Sequence, residues 1–397
     1  MSNPAIVIFC GLLLSVSAFS VDITLPAFSF MADDLAAPYS QIQLVVPVFL
    51  ACIGVGQIFS GPLSDRFGRK PVMLGGLALF AAGSVVCVMA GSIDMLLAGR
   101  ALQGLGASGG PVVARAVLRD LFSGRQLASN IALATMVFAF GPIVAPLAGV
   151  GLMQFGGWRF IFLAILAFGL LLLAFGVFRL PETIRERDLN ALRAFRWRSN
   201  LAAMLGNRQS RTYTILFGPI MTMMILLLVA MPRVYDESFG ITGTPFAFFF
   251  AFHGVGIIIG QYLNRIMIVK IGVENAMLVG SVISVAVSVM MFLLEVAGLL
   301  NAYVLSACLM LFAIGFLTIM ANAMALALDP HGTIAGFVSS IVESSGRIVA
   351  SLAGAVFAWV IGGDVHVCVI ALLATTVLVL ISLLLVRKTT VMRENLS

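Results

Sequence analysis

The chain has 397 residues, 61% of them hydrophobic and only 10% charged, with a formal net charge of +6. Soluble domains carry about 25% charged residues, so this composition cannot coat a water-facing globule. With a mean hydropathy of +1.12, it excludes soluble enzymes and nucleic-acid binders and requires a polytopic membrane protein.

The apolar runs are long and continuous, not alternating over about ten residues, so the spans are helices and not barrel strands. Read between polar breaks, they predict helices over 4–30, 42–61, 72–91, 94–118, 127–154 and 159–179. A second set follows over 212–232, 245–266, 273–298, 301–328, 333–361 and 364–386. With the N-terminus in the cytoplasm, 18 of the 23 Lys and Arg fall on one side, which places both termini there by the positive-inside rule. The first basic residue is Arg66, so a cleavable signal peptide is not expected. The five cysteines are scattered in apolar runs without ligand neighbours, which indicates buried thiols and neither metal nor disulfide.

An arginine-rich linker over 181–211 divides the chain into two six-helix bundles, 1–180 and 212–397. The halves share patterns. Gly61-x-x-x-Asp65-Arg66 recurs 199 residues on as Gly260-x-x-x-Asn264-Arg265, and Leu147-Ala148-Gly149 recurs 205 residues on as Leu352-Ala353-Gly354. Matches at nearly half the chain length, in corresponding helices, predict parallel six-helix repeats of the kind transporters use for alternating access.

The most specific local pattern joins the second and third spans: Gly61-Pro62-Leu63-Ser64-Asp65-Arg66-Phe67-Gly68-Arg69-Lys70-Pro71. Glycine permits a tight turn between helices, and an acid at the next helix's N-terminus complements its dipole. This run resembles the signature loop of the major facilitator superfamily. Arg100-Ala101-Leu102-Gln103-Gly104-Leu105-Gly106-Ala107 resembles that family's fourth-helix motif, and the resemblance implies that Arg100 faces a central cavity, where Gln103 is expected to offer hydrogen bonds nearby. The stretch from Gly141 and Pro142 through Pro146 to Gly149 resembles its fifth-helix antiporter motif. There glycines allow close helix contact and prolines set kinks. Ser20-Val21-Asp22-Ile23-Thr24-Leu25-Pro26 and Ala321-Asn322-Ala323-Met324-Ala325-Leu326 are similar to the bicyclomycin/chloramphenicol-resistance branch of drug:proton antiporters. That branch usually carries an aromatic residue where Thr24 stands.

Ionisable groups inside a bilayer are costly and usually functional. Asp22 and Arg100 come at similar depth by the rise of about 1.5 Å per residue, and an ion pair between them is expected. Arg115 lies near an inner helix end and should snorkel. Glu343 and Arg347 stand four residues apart on one face of the eleventh helix, as a self-neutralising pair or as a cargo site. His253 reads as a hydrogen-bonded packing residue.

The chain is thus expected to be a proton-coupled exporter of a drug-like or small polar organic compound, working as a monomer in a bacterial cytoplasmic membrane. Asp22 would carry the proton, its protonation loosening the pair with Arg100, and the loop bearing Gly61, Asp65, Arg66, Gly68, Arg69 and Lys70 would gate. No cofactor, metal or nucleic acid is expected; the partners are substrate, protons and membrane lipid. A carrier of a specific metabolite or siderophore-type chelate is the alternative. A remoter one is an intramembrane serine hydrolase, because Gly106-Ala107-Ser108-Gly109-Gly110 fits G-x-S-x-G.

Overall fold

A computed structural model describes residues 4–184 and 186–394. Residues 1–3 and 395–397, at the ends of the two expected bundles, and the linker's Arg185 lie outside the described residues. Every regular element among the described residues is helical. The chain divides into two compact units, one made of the residues up to Ala202 with Thr242–Phe248, the other of Ala203–Ile241 with the residues from Phe249 onward.

In the first unit, α1 (Pro4–Asp22), a 3-10 turn (Leu25–Ala27) and α2 (Phe28–Asp34) make the first crossing. The second is α3 (Tyr39–Gln43) with α4 (Val45–Phe67), and the third is α5 (Arg69–Val88). The fourth pairs α6 (Ile93–Ala107) with α7 (Gly109–Leu121), the fifth α8 (Gly124–Ala139) with α9 (Gly141–Gly156), and the sixth is α10 (Trp158–Arg179). After α11 (Ala194–Gly206) come α12 (Arg208–Phe239), α13 (Gly243–Ile271), α14 (Val273–Val296), α15 (Ala302–Leu328), α16 (Ala335–Val360) and α17 (Val365–Glu394). Among the described residues eleven crossings are long and apolar enough to span a bilayer. The twelfth expected from the sequence is the α6–α7 pair, whose 15 and 13 residues each fall short of the roughly 20 a span needs.

Four helices expected to be continuous are broken, each beside a proline. In the second crossing Pro47 cannot donate to the Gln43 carbonyl, and α3 ends there before Leu44. Pro26 has no N–H to bond the Asp22 carbonyl and its ring clashes there, so α1 ends at Asp22. Pro111 does the same to the carbonyl of Ala107, where α6 stops and α7 restarts beyond Ser108. Pro142 sits in the first turn of α9, where a missing N–H costs nothing. The segment expected as plain linker holds α11 and the first turn of α12.

Packing inside each unit follows one scheme. In the first, α1 packs on α8, α5 on α6 and α10 on α5. In the second, α12 packs on α16, α14 on α15 and α14 on α17. First-with-fifth, third-with-fourth and third-with-sixth pairing is therefore common to both halves.

Candidate functional site

The break in the first crossing places a carboxyl inside the apolar bundle. A helix end leaves its last carbonyls without intrahelical donors, and here two of them, those of Val21 and Ser20, find others. Ile23 N donates to Phe19 O at 3.2 Å, while Thr24 N and Thr24 Oγ1 donate to Val21 O at 3.1 and 2.7 Å. That leaves the Ser20 carbonyl, which accepts from Arg100 Nη1 at 3.2 Å.

Arg100 is completely buried. Its Nε donates to Val45 O at 3.1 Å and its Nη1 also to Gln103 Oε1 at 3.0 Å. The guanidinium lies over the Phe49 ring, 4.1 Å from its centroid, an arrangement that suits a cation in apolar surroundings. Gln103, equally buried, passes the contact on by donating from Nε2 to Ser84 Oγ at 2.8 Å. Arg100 and Gln103 together thus tie the first, second, third and fourth crossings to one another.

The expected ion pair between Asp22 and Arg100 is absent among the described residues. Because the helix ends at Asp22, it presents the Ser20 carbonyl to the guanidinium, and Arg100 takes that instead. Arg100 and Gln103 are both fully buried. Asp22 itself is 3% exposed. The fifth crossing packs against the same break. A Cβ built on Gly149 would lie 2.3 Å from the Ile23 carbonyl oxygen, so only glycine lets α9 reach it. Pro142 opens α9, Pro146 lies inside it, and Gly141 sits just after the break at Phe140.

The second cluster surrounds the loop between α4 and α5. Gly68 has φ +109°, a conformation that favours glycine. Arg69 Nη1 donates to Asp65 Oδ1 at 2.5 Å and to Ser64 Oγ at 2.8 Å, and its Nε to Asp120 Oδ2 at 3.1 Å. Arg66 points to solvent beside Phe67, and Lys70 Nζ donates to Val177 O at 2.9 Å. Gly61 lies within α4, its carbonyl accepting from Ser64 Oγ.

The acid at the N-terminus of α5 is not Asp65, which belongs to the last turns of α4. It is Glu182, 113 residues downstream. Its Oε1 accepts from Arg69 N at 3.0 Å, Thr183 N at 2.9 Å and Ile184 N at 3.2 Å, and its Oε2 from Lys70 N at 3.3 Å. A Cβ on Gly68 would stand 2.3 Å from Glu182 Oε2. Thr183 Oγ1 donates to Asp120 Oδ2 at 3.0 Å, and Asp188 N to Asp65 O at 3.0 Å. Sequence reading missed Glu182 and Asp120; the Pro181-Glu182-Thr183 run just after the sixth crossing was their only local signal.

In the second unit, Glu343 and Arg347 face each other along α16, Oε2 to Nη2 3.9 Å, with side chains 13% and 22% exposed. Asn264, at the position matching Asp65, accepts from Asn322 Nδ2 at 2.9 Å. His253 is buried, its Nδ1 3.4 Å from the Leu309 carbonyl. Ser108 fills the space left by Gly56, lies 3.2 Å from Ser60 Oγ and donates to Leu105 O at 2.6 Å. Its partners are a serine and a carbonyl, the contacts of a packing residue.

A model of the Major Facilitator Superfamily matches residues 10–354. The chain belongs to the Major Facilitator Superfamily. It is 30% identical over 348 residues to a bicyclomycin resistance protein homolog of Haemophilus influenzae, covering 88% of this chain and 87% of that protein. To a chloramphenicol resistance protein of Pseudomonas aeruginosa it is 29% identical over 343 residues, covering 85% and 80%. The fold is similar to the crystal structure of the human organic anion transporter MFSD10, with a TM-score of 0.72 at 20% identity over 96% of this chain and 100% of the other. Membership in this superfamily makes the chain a multi-pass membrane transporter of small molecules and not an enzyme.

The Glu182 clamp is testable. Losing a helix N-cap costs about 1–2 kcal/mol, so Glu182→Ala should lower stability by about that much. Gly68→Ala should do likewise by displacing the same carboxylate. The double variant should then cost clearly less than the sum, because both changes remove one interaction. Denaturant melts in detergent read this cycle; strict additivity would separate Gly68 from Glu182.

Proposed function

We propose that this transporter exports a drug-like or small polar organic compound in exchange for protons. The observation that carries the reading is Asp22, buried at the break of the first crossing. The other described acids of the first unit lie at helix ends or in connections: Asp33 and Asp34 close α2, Asp65 is near the end of α4, Asp94 opens α6, Asp120 closes α7, and Glu182, Glu186 and Asp188 lie between α10 and α11. A carboxyl kept inside the membrane is a functional-site candidate by default, because its burial is costly. The resistance names of both relatives support drug-like cargo and export. The antiporter-like stretch Gly141–Gly149 supports proton exchange.

In this mechanism Asp22 takes a proton from the outside and releases it to the cytoplasm as access alternates, and cargo binds when the proton has left. Arg100 acts as a positioning residue. It holds the Ser20 carbonyl and so the turn that carries Asp22, while Gln103 fixes Arg100. Asp65, Arg69 and Lys70, with Gly61, Gly68 and Arg66 shaping their loop, bias the access states without touching cargo. On this reading the protein works as a monomer in a bacterial cytoplasmic membrane with both termini inside; the distribution of its Lys and Arg supports that orientation.

Asp22→Asn keeps the side-chain shape and removes the titrating group. In proteoliposomes it should reduce uphill, proton-driven export to the level of empty vesicles while leaving folding and insertion unchanged. Undiminished uphill export would move the proton site elsewhere.

We assign cargo contact to Glu343 and Arg347, whose charges sit mostly buried on α16. A hydrogen bond to a charged group contributes about 1.5–3 kcal/mol, so Glu343→Gln and Arg347→Gln should each weaken export of some compounds roughly tenfold or more, with different compounds affected. A double Gln variant of wild-type stability and unchanged substrate profile would reduce the pair to mutual neutralisation, since replacing both members of a buried pair is often neutral.

A further inference from the structure

The linker helix α11 has no role in the transport cycle described above, yet its composition and attachment are unusual. From Leu189 to Arg211 the sequence has five arginines and no acid. A single residue, Asn207, separates the end of α11 from the start of α12, a helix long and apolar enough to span the bilayer. Asn207 caps α12 by accepting from Ser210 N at 3.0 Å, and Arg211 Nη1 donates to the Leu205 carbonyl at the end of α11 at 3.0 Å. The joint is therefore short and pinned, which leaves α11 no slack to leave the level at which α12 enters the membrane.

The other end is also tethered. Arg196 is paired with Asp188, and Asp188 N donates to the Asp65 carbonyl in the loop between α4 and α5. Along the helix, Trp197, Leu201 and Met204 recur at the spacing of one face, and Met204 is fully buried. Phe195, on the opposite side, is 84% exposed, with the exposed Arg198 and Ser199 beside it. Leu205, 41% exposed, flanks the buried face, and the exposed Arg193 immediately precedes the helix. Neither of those two arginine side chains has a partner among the described residues.

An exposed aromatic beside unpaired arginines, on a helix held at the membrane boundary, is the pattern of an interfacial anchor. The charge complement is a phosphate-bearing anionic surface, and the apolar side chains match the boundary between headgroups and acyl chains. We infer that α11 lies in the cytoplasmic headgroup layer, with Phe195 inserted and Arg193 and Arg198 bound to anionic phospholipid headgroups. The partner is bilayer lipid, not a protein. Salt should weaken the seating, because exposed charges are screened over about 10 Å at 0.1 M.

The test uses the full chain with a nitroxide on Ser199→Cys, which lies on the exposed side of α11. Four of the five native cysteines are buried and Cys52 is half-buried, so Cys52→Ser gives a clean background. Collision with oxygen against a water-soluble nickel chelate reports whether the label sits in lipid or in water. In vesicles with one-third phosphatidylglycerol the label should read as lipid-embedded, and in pure phosphatidylcholine as water-exposed. Arg193→Gln with Arg198→Gln should shift the seated-to-released ratio in the anionic vesicles by roughly thirtyfold toward water. A water-exposed label in both compositions would overturn the proposal. So would a lipid-embedded label in both that ignores the arginine changes, because seating would then owe nothing to headgroup charge.

Discussion

A guanidinium buried in a helical membrane bundle must find acceptors, and in a regular helix the backbone carbonyls are already engaged. Arg100 does so at Nε and Nη1 by bonding where regularity fails, while its buried Nη2 has no acceptor among the described residues. The Ser20 carbonyl is available because Thr24 N turns to Val21 instead. Val45 supplies its second lone pair near the start of α4, and Gln103 offers a side-chain oxygen from the next turn of the same helix. Leaving such a group unsatisfied would cost several kcal/mol, so the break in the first crossing and the arginine in the fourth require one another. The fifth crossing joins them through Gly149, whose missing side chain lets α9 lie against the Ile23 carbonyl.

This dependence explains what the sequence disclosed and what it withheld. Class and span count were legible because long apolar runs have few alternatives: α5, α10, α14 and α15 lie close to their expected limits. The breaks were less so. Pro26, Pro47, Pro111 and Pro142 were visible, but a continuous apolar run around each one hid the interruption, since membrane helices tolerate proline when neighbours satisfy the freed groups. The Asp22–Arg100 pairing failed for a sharper reason. Equal depth along two helices is a one-dimensional estimate, and it cannot show that a freed carbonyl stands nearer the guanidinium than the carboxyl does.

At the loop between α4 and α5 the local pattern identified the right residues but assigned the helix-capping acid wrongly. Gly68, Asp65 and Arg69 are contiguous and recognisable. Their partners Asp120 and Glu182 lie 51 and 113 residues away from Arg69, and the Pro181-Glu182-Thr183 run does not by itself show which helix it caps. The glycine then has two reasons to be there: its φ of +109° and the carboxylate that occupies the space a Cβ would need. Only the first could be guessed from sequence. The same cluster binds the beginning of the linker, so the segment that reads as a passive connection is fastened to the loop that carries the superfamily signature.

The position of Asp22 depends on Arg100 holding the turn that carries it. Amide hydrogen exchange across residues 20–26, compared between the native chain and Arg100→Leu in the same detergent, measures that hold directly. Removing a charge-assisted bond to the Ser20 carbonyl should speed exchange in this segment roughly tenfold or more, while α14 and α15 exchange as before. Identical protection of residues 20–26 in both proteins would contradict it, and would mean that proline and helix packing alone fix the break.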